Sequence, residues 1–311
     1  MLSVAIRPFE RKQAAEAAEL LRTLQPAILH TAESVVHRQS SEPERARRRS
    51  WVAVENGQTV GWATASFRWA SGPASGRLWV GVPPDRRGRG IGSALYERAE
   101  RHLVEHGARK LEAEVHGDPA GARFVAARGF DATKAEVMYG LDPRKADVSE
   151  FASLEEQTAS AGFELKPLRE VSSAARELFR FYGDAGAWLP FSAPENRVSF
   201  EEWRREILEN PLLDRDASFV VVQSGRPVSL AWLLVDRDRR RAEHEWTATL
   251  PELRQRGLAR FAKLATIGWA TENEIDEIVT GSDRDNVAMR SLNQRLGYRE
   301  LYVVEELERE I

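Results

Sequence analysis

Two stretches of this chain carry residue types and spacings suited to holding an anion. In the first, Arg86-Arg87-Gly88-Arg89-Gly90-Ile91-Gly92-Ser93, glycines alternate with arginines. An apolar run of strand character, Leu78 to Val82, enters it, and a helix-forming run, Ser93 to His106, leaves it. Closely spaced glycines let the backbone approach a ligand and turn its N–H groups inward. The helix start adds N–H groups without acceptors and the positive end of a dipole. A phosphate is the anion such a place takes most readily. The second stretch, Arg254-Gln255-Arg256-Gly257-Leu258-Ala259-Arg260, repeats the pattern. Its Arg254, Gly257 and Ala259 stand 167 residues after Arg87, Gly90 and Gly92.

The elements that must position these loops also occur twice. Val4 to Phe9 reads as a strand and Gln13 to Leu24 as a helix. Trp51 to Glu55 and Thr59 to Phe67 flank Asn56-Gly57, a hairpin signature. Leu111 to Val115 is a strand, Ala120 to Arg128 a helix closed by Gly129, and Val137 to Leu141 a last strand. The order then returns. Phe163 to Leu168 and Ala174 to Tyr182 mirror the opening strand and helix. Ser224-Gly225 mirrors Asn56-Gly57, and Gly297 mirrors Gly129, each 168 residues on. The closing strand is Tyr302 to Leu307. So regular a period is an internal duplication, too long for a solenoid. Each half predicts the order β-α-β-β-β-α-β-α-β, an α/β fold with a mixed sheet. The reading gives domains at 1–145 and 162–311, joined by a partly helical linker at 146–161.

Composition narrows the function. A chain of 311 residues suits two domains. The net charge of −3 gives no global basic field, so nucleic acid is not an expected partner. There are no cysteines, which removes disulfides, thiolate metal sites and a Cys nucleophile; no metal is expected. No apolar run approaches the ~20 residues of a membrane span. No membrane association is expected, and the predicted location is the cytoplasm.

The ligand of the loops can be narrowed by motif. A P-loop needs Lys-Ser or Lys-Thr after its last Gly, and Ser93-Ala94 follows Gly92 here. A dinucleotide fingerprint would need a small third residue where Ser93 or Leu95 stands, and neither fits. Arg-x-x-Gly-x-Gly, read as Arg87, Gly90 and Gly92, resembles the pyrophosphate loop of the GCN5-related N-acetyltransferases, which grips coenzyme A. With the element order, the resemblance covers nearly the whole chain, twice. It implies that acetyl-coenzyme A lies between two splayed parallel strands and that an amine attacks its thioester directly. Val80 and Val82, and in the second half Thr247 and Thr249, would face the pantetheine. Arg87, Gly88, Arg89, Gly90, Gly92 and Ser93 would hold one pyrophosphate. Arg254, Gln255, Arg256, Gly257, Ala259 and Arg260 would hold a second, so up to two coenzyme A molecules are expected. The run Thr280, Asn286, Met289, Asn293 and Leu296-Gly297-Tyr298 resembles the closing motif of one bacterial branch, in which Asn286 contacts the cofactor arm; Asn286 also suits a helix N-cap.

An alkylammonium acceptor, with a pKa near ~10.4, must lose a proton before it attacks. The histone-acetylating branch carries a Glu six residues before the last cofactor-facing position of the strand, which is Glu243 here. Strand alternation predicts Glu243, Glu245, Thr247 and Thr249 on one face, with His244 on the other. Glu243 and Glu245 are therefore the expected base. The corresponding face of the first half, Gly76, Leu78, Val80 and Val82, has no titratable group. The second half is expected to catalyse, with the first as a cofactor-binding or structural partner. Neither half has the family's acid Tyr; Val125 and Asn293 stand in its place. Trp188 and Phe191 fall where the family shapes its acceptor pocket. The expected partner is a small-molecule or peptide amine, and the chain a pseudo-two-fold monomer or a homodimer. Two rivals stay open, a non-catalytic acyl-coenzyme A sensor or scaffold and a nucleotide binder.

Overall fold

The computed structural model describes residues 4–67, 75–186 and 198–311. Trp188 and Phe191 lie outside them. In chain order the first elements are β1 (Ala5–Pro8), α1 (Ala14–Leu24), α2 (Ala32–Ser40), β2 (Arg49–Glu55), β3 (Gln58–Phe67), β4 (Ser75–Gly81), α3 (Ile91–Glu105), β5 (Lys110–His116), α4 (Pro119–Ala126) and β6 (Asp131–Leu141). There follow α5 (Phe151–Ser160), β7 (Phe163–Pro167), α6 (Leu168–Val171), α7 (Ala175–Gly186), α8 (Phe200–Trp203), β8 (Phe219–Gln223), β9 (Arg226–Asp236), β10 (Arg241–Thr249), α9 (Leu258–Glu272), β11 (Glu277–Asp283), α10 (Val287–Arg295) and β12 (Arg299–Glu310).

Local sequence explains most of these. Ala14, Ala17, Ala18 and Leu21 give α1 one buried face. Asn56 and Gly57 both take positive φ in the β2–β3 turn, and Ser224 and Gly225 do the same between β8 and β9. The expected element order misses α2. Thr31 and Ser34 cap that helix reciprocally, a local signal the strand and helix periodicity does not carry. In the second half α6, α7 and α8 take the place of a single expected helix. Residues 146–161 hold α5, whose Phe151 ring lies 5.3 Å from that of Phe261 on α9.

The chain divides into two compact units. The first comprises the residues up to Glu136 and also Tyr302–Ile311. Its strand order is β1-β2-β3-β4-β5-β12. The end of β12 runs antiparallel to β5, from Val304 opposite His116 to Glu310 opposite Lys110. Helix α3 lays Leu95, Ala99 and Leu103 on the sheet against Leu78, Leu111 and Ala113. Strands β4 and β5 are parallel and pair only over Ser75–Leu78 with Lys110–Ala113. Beyond Leu78, β4 keeps its partners on β3 and has none on β5, so the sheet opens.

The second unit comprises residues 137–186 and 199–301. Its strands follow the order β7-β8-β9-β10-β11 and end on the 137–141 part of β6. Helix α9 covers one face with Phe261, Leu264 and Ile267. Strands β10 and β11 pair in parallel over Arg241–His244 with Glu277–Thr280 and then part. Each unit is thus completed by a closing strand that the linear order of elements assigns to the other half.

Candidate active site

In the first unit the opening between β4 and β5 is a cleft of about 600 Å³. Strand alternation sends Leu78, Val80, Ala113 and Val115 to the α3 side, where Tyr96, Phe124 and Val125 complete the wall. Trp79, Glu114 and His116 point to the opposite side, toward Thr23 and Leu24 of α1. Because the sheet is split here, one cleft reaches both of its faces.

The glycine loop forms the α3-side mouth. Gly88 and Gly90 have φ of +73° and +80°, and open space stands where a side chain would begin. Gly90 leads directly into α3, so the N–H groups of Ile91, Gly92 and Ser93 have no acceptor within the helix. Arg87 is fixed by Nε donating to Val82 O at 2.9 Å and by Asp118, 2.9 Å from its Nη2. Val80, Val82, Arg87, Gly88, Gly90, Gly92 and Ser93 all line the cleft. Arg89 does not. It and Arg86 are held by the carboxylate of Glu55, which is 3% exposed. A cation the sequence reading missed is Arg128. Its Nη2 donates to Ser93 Oγ at 2.9 Å, and its guanidinium lies 3.6 Å from the Phe124 ring centre.

The far end holds titratable groups that the sequence reading also missed. His116 Nε2 lies 3.1 Å from Gln25 Nε2 and 3.5 Å from Glu114 Oε2. Its Nδ1 is buried with no hydrogen-bond partner among the described residues. Burial pushes the Glu114 carboxyl up, but the Arg77 guanidinium and His116 outweigh it and hold the group at about 2. Glu114 is therefore a fixed anion beside His116. The indole of Trp79 stands edge-on to the imidazole at 6.2 Å. The signal in the sequence is the alternation of Glu112, Glu114 and His116 along β5, the parallel neighbour of β4.

The second unit departs from the expected arrangement. A β-bulge falls between His244 and Trp246: His244 opposes Leu233, Trp246 opposes Trp232, and Glu245 is extra. One extra residue reverses the alternation. Glu243 therefore shares a face with Trp246, while His244 shares one with Thr247 and Thr249. The premise that put Glu243 and Glu245 on the cofactor face fails at this bulge. Trp246 belongs to an aromatic group with Phe181, Tyr182 and Trp232.

His244 is buried against α9. Thr266 Oγ1 gives its proton to Lys263 O at 2.7 Å, so it accepts from His244 Nε2–H at 2.6 Å. The other nitrogen, Nδ1, then accepts from the Tyr298 hydroxyl at 2.6 Å. Burial, with the nearby Lys263 charge, holds the His244 pKa well below its ordinary value, and burial raises that of Tyr298. Both groups are neutral.

The second glycine loop keeps its frame with altered contents. Arg254 Nε donates to Thr249 O at 3.4 Å, as Arg87 does to Val82. Gln255 takes φ of +64° where the first loop has Gly88. A methyl on Gly257 would meet Leu154 of α5 at 3.2 Å. Arg260 is ion-paired with Glu150, which heads α5. Arg256 is exposed, Ala259 half-buried, and the Thr249 hydroxyl bonds Ser229 at 2.7 Å. Asn286 caps α10 by accepting from Met289 N at 3.1 Å.

A mixed sheet parted between two parallel strands above a glycine loop, and built twice, defines a tandem α/β acetyltransferase fold. The acetyltransferase (GNAT) family model matches residues 15–130, and an acetyltransferase (GNAT) domain model matches residues 164–299. The chain belongs to the GNAT acetyltransferase family and carries two of its domains. An acetyltransferase of Sodalis glossinidius and one of Pectobacterium atrosepticum are each 39% identical over 67 residues, or 22% of this chain. The chain spans 45% of the length of these curated relatives. A tandem GNAT protein from the clavulanic acid biosynthesis pathway superposes with a TM-score of 0.73 at 20% identity, covering 99% of this chain and 98% of that one. A GCN5-related N-acetyltransferase of Sphaerobacter thermophilus gives 0.69 at 14%, covering 99% and 95%. These structures share the fold. No helix among the described residues is long and apolar enough to cross a membrane.

Proposed function

We propose that the chain is an N-acetyltransferase that uses acetyl-coenzyme A as donor and a primary amine as acceptor, and that its first unit carries the reaction. The observation behind this reading is the single cleft that crosses the sheet, with a glycine loop at one end and His116 at the other. The loop N–H groups and Arg87 would hold the pyrophosphate. The β4 edge beyond Leu78, released from β5, offers free backbone groups to the pantetheine amides. The thioester supplied by the bound donor would then lie in the gap, and the amine would approach from the α1 side.

The amine nitrogen attacks the thioester carbonyl carbon directly; the new C–N bond forms and the C–S bond breaks. His116 would take the ammonium proton, with the Glu114 carboxylate beside it. The thiolate leaves without a dedicated acid, since a thiol pKa near ~8.5 makes it a competent leaving group. This moves the chemistry from Glu243 and Glu245 to the first unit.

The test is thiol release from acetyl-coenzyme A against a panel of polyamines, amino acids, aminoglycosides and peptide N-termini. At least one class should give amine-dependent release that Gly90→Glu abolishes. Tight coenzyme A binding with no release for any amine would favour an acyl-coenzyme A sensor instead.

A further inference from the structure

The places where the parallel strands part differ between the two units in one systematic way. Leu78, Tyr96, Ala113, Val115 and Val125 line the cleft of the first. The residues at the same places in the second unit, by strand register and the internal period, are His244, Lys263, Thr280, Ser282 and Asn293. A largely apolar wall has become polar at five positions, and all five residues are buried. Burying polar groups costs free energy unless each finds a partner.

Two of the five are satisfied within the unit. His244 is bonded by Thr266 and Tyr298, and Thr280 donates to His244 O at 3.1 Å. The other three are not. Lys263 Nζ donates to Asn293 Oδ1 at 2.7 Å, and among the described residues no carboxylate pairs with it. That bond fixes the amide, because an ammonium can only donate, so Asn293 Nδ2 points away with two unused N–H groups. Asn293 Nδ2 and Ser282 Oγ are both buried without a partner among the described residues. What remains is a cation and two donors, with no anion among the described residues to receive them.

We propose that the place where β10 and β11 part is a binding site for a small carboxylate held by Lys263, Asn293 and Ser282. A carboxylate has the acceptor positions these donors lack and the charge that Lys263 lacks. An uncharged acetyl thioester would leave the ammonium unpaired. The carboxylate is a free acid rather than an acyl group carried on coenzyme A. Helix α5 sets Leu154 against Gly257 and Glu150 on Arg260, so the second loop already faces the chain's own carboxylate. The site is independent of the proposed reaction in the first unit.

The experiment is calorimetry and thermal melting of the full chain with sodium acetate and sodium succinate at constant ionic strength, with sodium chloride as control. One acid should bind at one site per chain and raise the melting temperature. Lys263→Met should weaken it at least tenfold, and Ser282→Ala by a smaller factor, while coenzyme A binding at Gly88–Ser93 stays unchanged. Should Lys263→Met fail to fold, Asn293→Asp serves: it supplies Lys263 with a carboxylate and should abolish acid binding while raising the melting temperature. No binding by either acid, or equal binding by the wild type and both variants, overturns the proposal. Binding of succinyl-coenzyme A at a second, Lys263-dependent site without binding of free succinate overturns the assignment to a free acid.

Discussion

Leu154 and Gly257 are in contact across the second glycine loop: a methyl placed on Gly257 would stand 3.2 Å from Leu154 Cδ2, whereas among the described residues none comes within 4 Å of the same point at Gly90. The sequence leads to an expectation of up to two coenzyme A molecules per chain. The contact leads to one. Calorimetry should report a stoichiometry of one that Gly90→Glu removes and Gly257→Glu keeps. Glu150→Ala combined with Leu154→Ala would uncover the second loop, and a second, weaker site should then appear. Two equal sites in the wild type would rule this out.

The base is expected at His116. Loss of a general base typically costs ~10²–10⁴-fold. His116→Ala should lower kcat by about that factor and change the KM for acetyl-coenzyme A by less than about threefold. Glu243→Gln should leave kcat within about threefold, because the bulge turns Glu243 toward Trp246. Steady-state kinetics on both variants decides the matter, and the reverse pattern would return the chemistry to the second unit.

Arg87 is held in place on two sides, by Val82 O and Asp118, before any ligand arrives. A charge-assisted bond to phosphate is worth roughly 1.5–3 kcal/mol. Arg87→Ala should therefore weaken coenzyme A binding about tenfold to a hundredfold, with a shallower salt dependence than the wild type. Arg89→Ala should weaken it far less, since Arg89 is committed to Glu55. Equal effects would mean that the Glu55 pairing gives way to the ligand.

Burial lowers the pKa of Lys263 to about 7. An unfolded lysine titrates near ~10.4. Between these values the unfolded chain binds a proton here that the folded chain does not. This group's penalty is therefore fully present below about pH 7 and is relieved as pH rises toward ~10.4, so its contribution makes stability increase with pH. Urea midpoints across that window should rise more steeply for the wild type than for Lys263→Met. Parallel curves would show that Lys263 keeps an ordinary pKa, through a partner or water that stabilises its charge.

Much of this protein is legible along the chain. Period and punctuation revealed the duplication: Asn56-Gly57 and Ser224-Gly225 need positive φ, Gly90 and Gly257 head their helices, and these requirements are local. Local rules also placed the strand, glycine loop and helix of each half, and hence nearly every lining residue of the first loop. Tertiary structure decided the rest. Pairing of Val304 with His116 joins residues far apart in sequence, so no short-range pattern could assign that closing strand to the first unit. The bulge at Glu245 is one residue in length, yet it reverses which of Glu243 and His244 shares a face with Thr249, because strand faces repeat every two residues. His116 became a candidate only when β5 was set beside the open edge of β4. Lys263 reads as an ordinary helix residue until α9 packs, and it is the packing that removes its water.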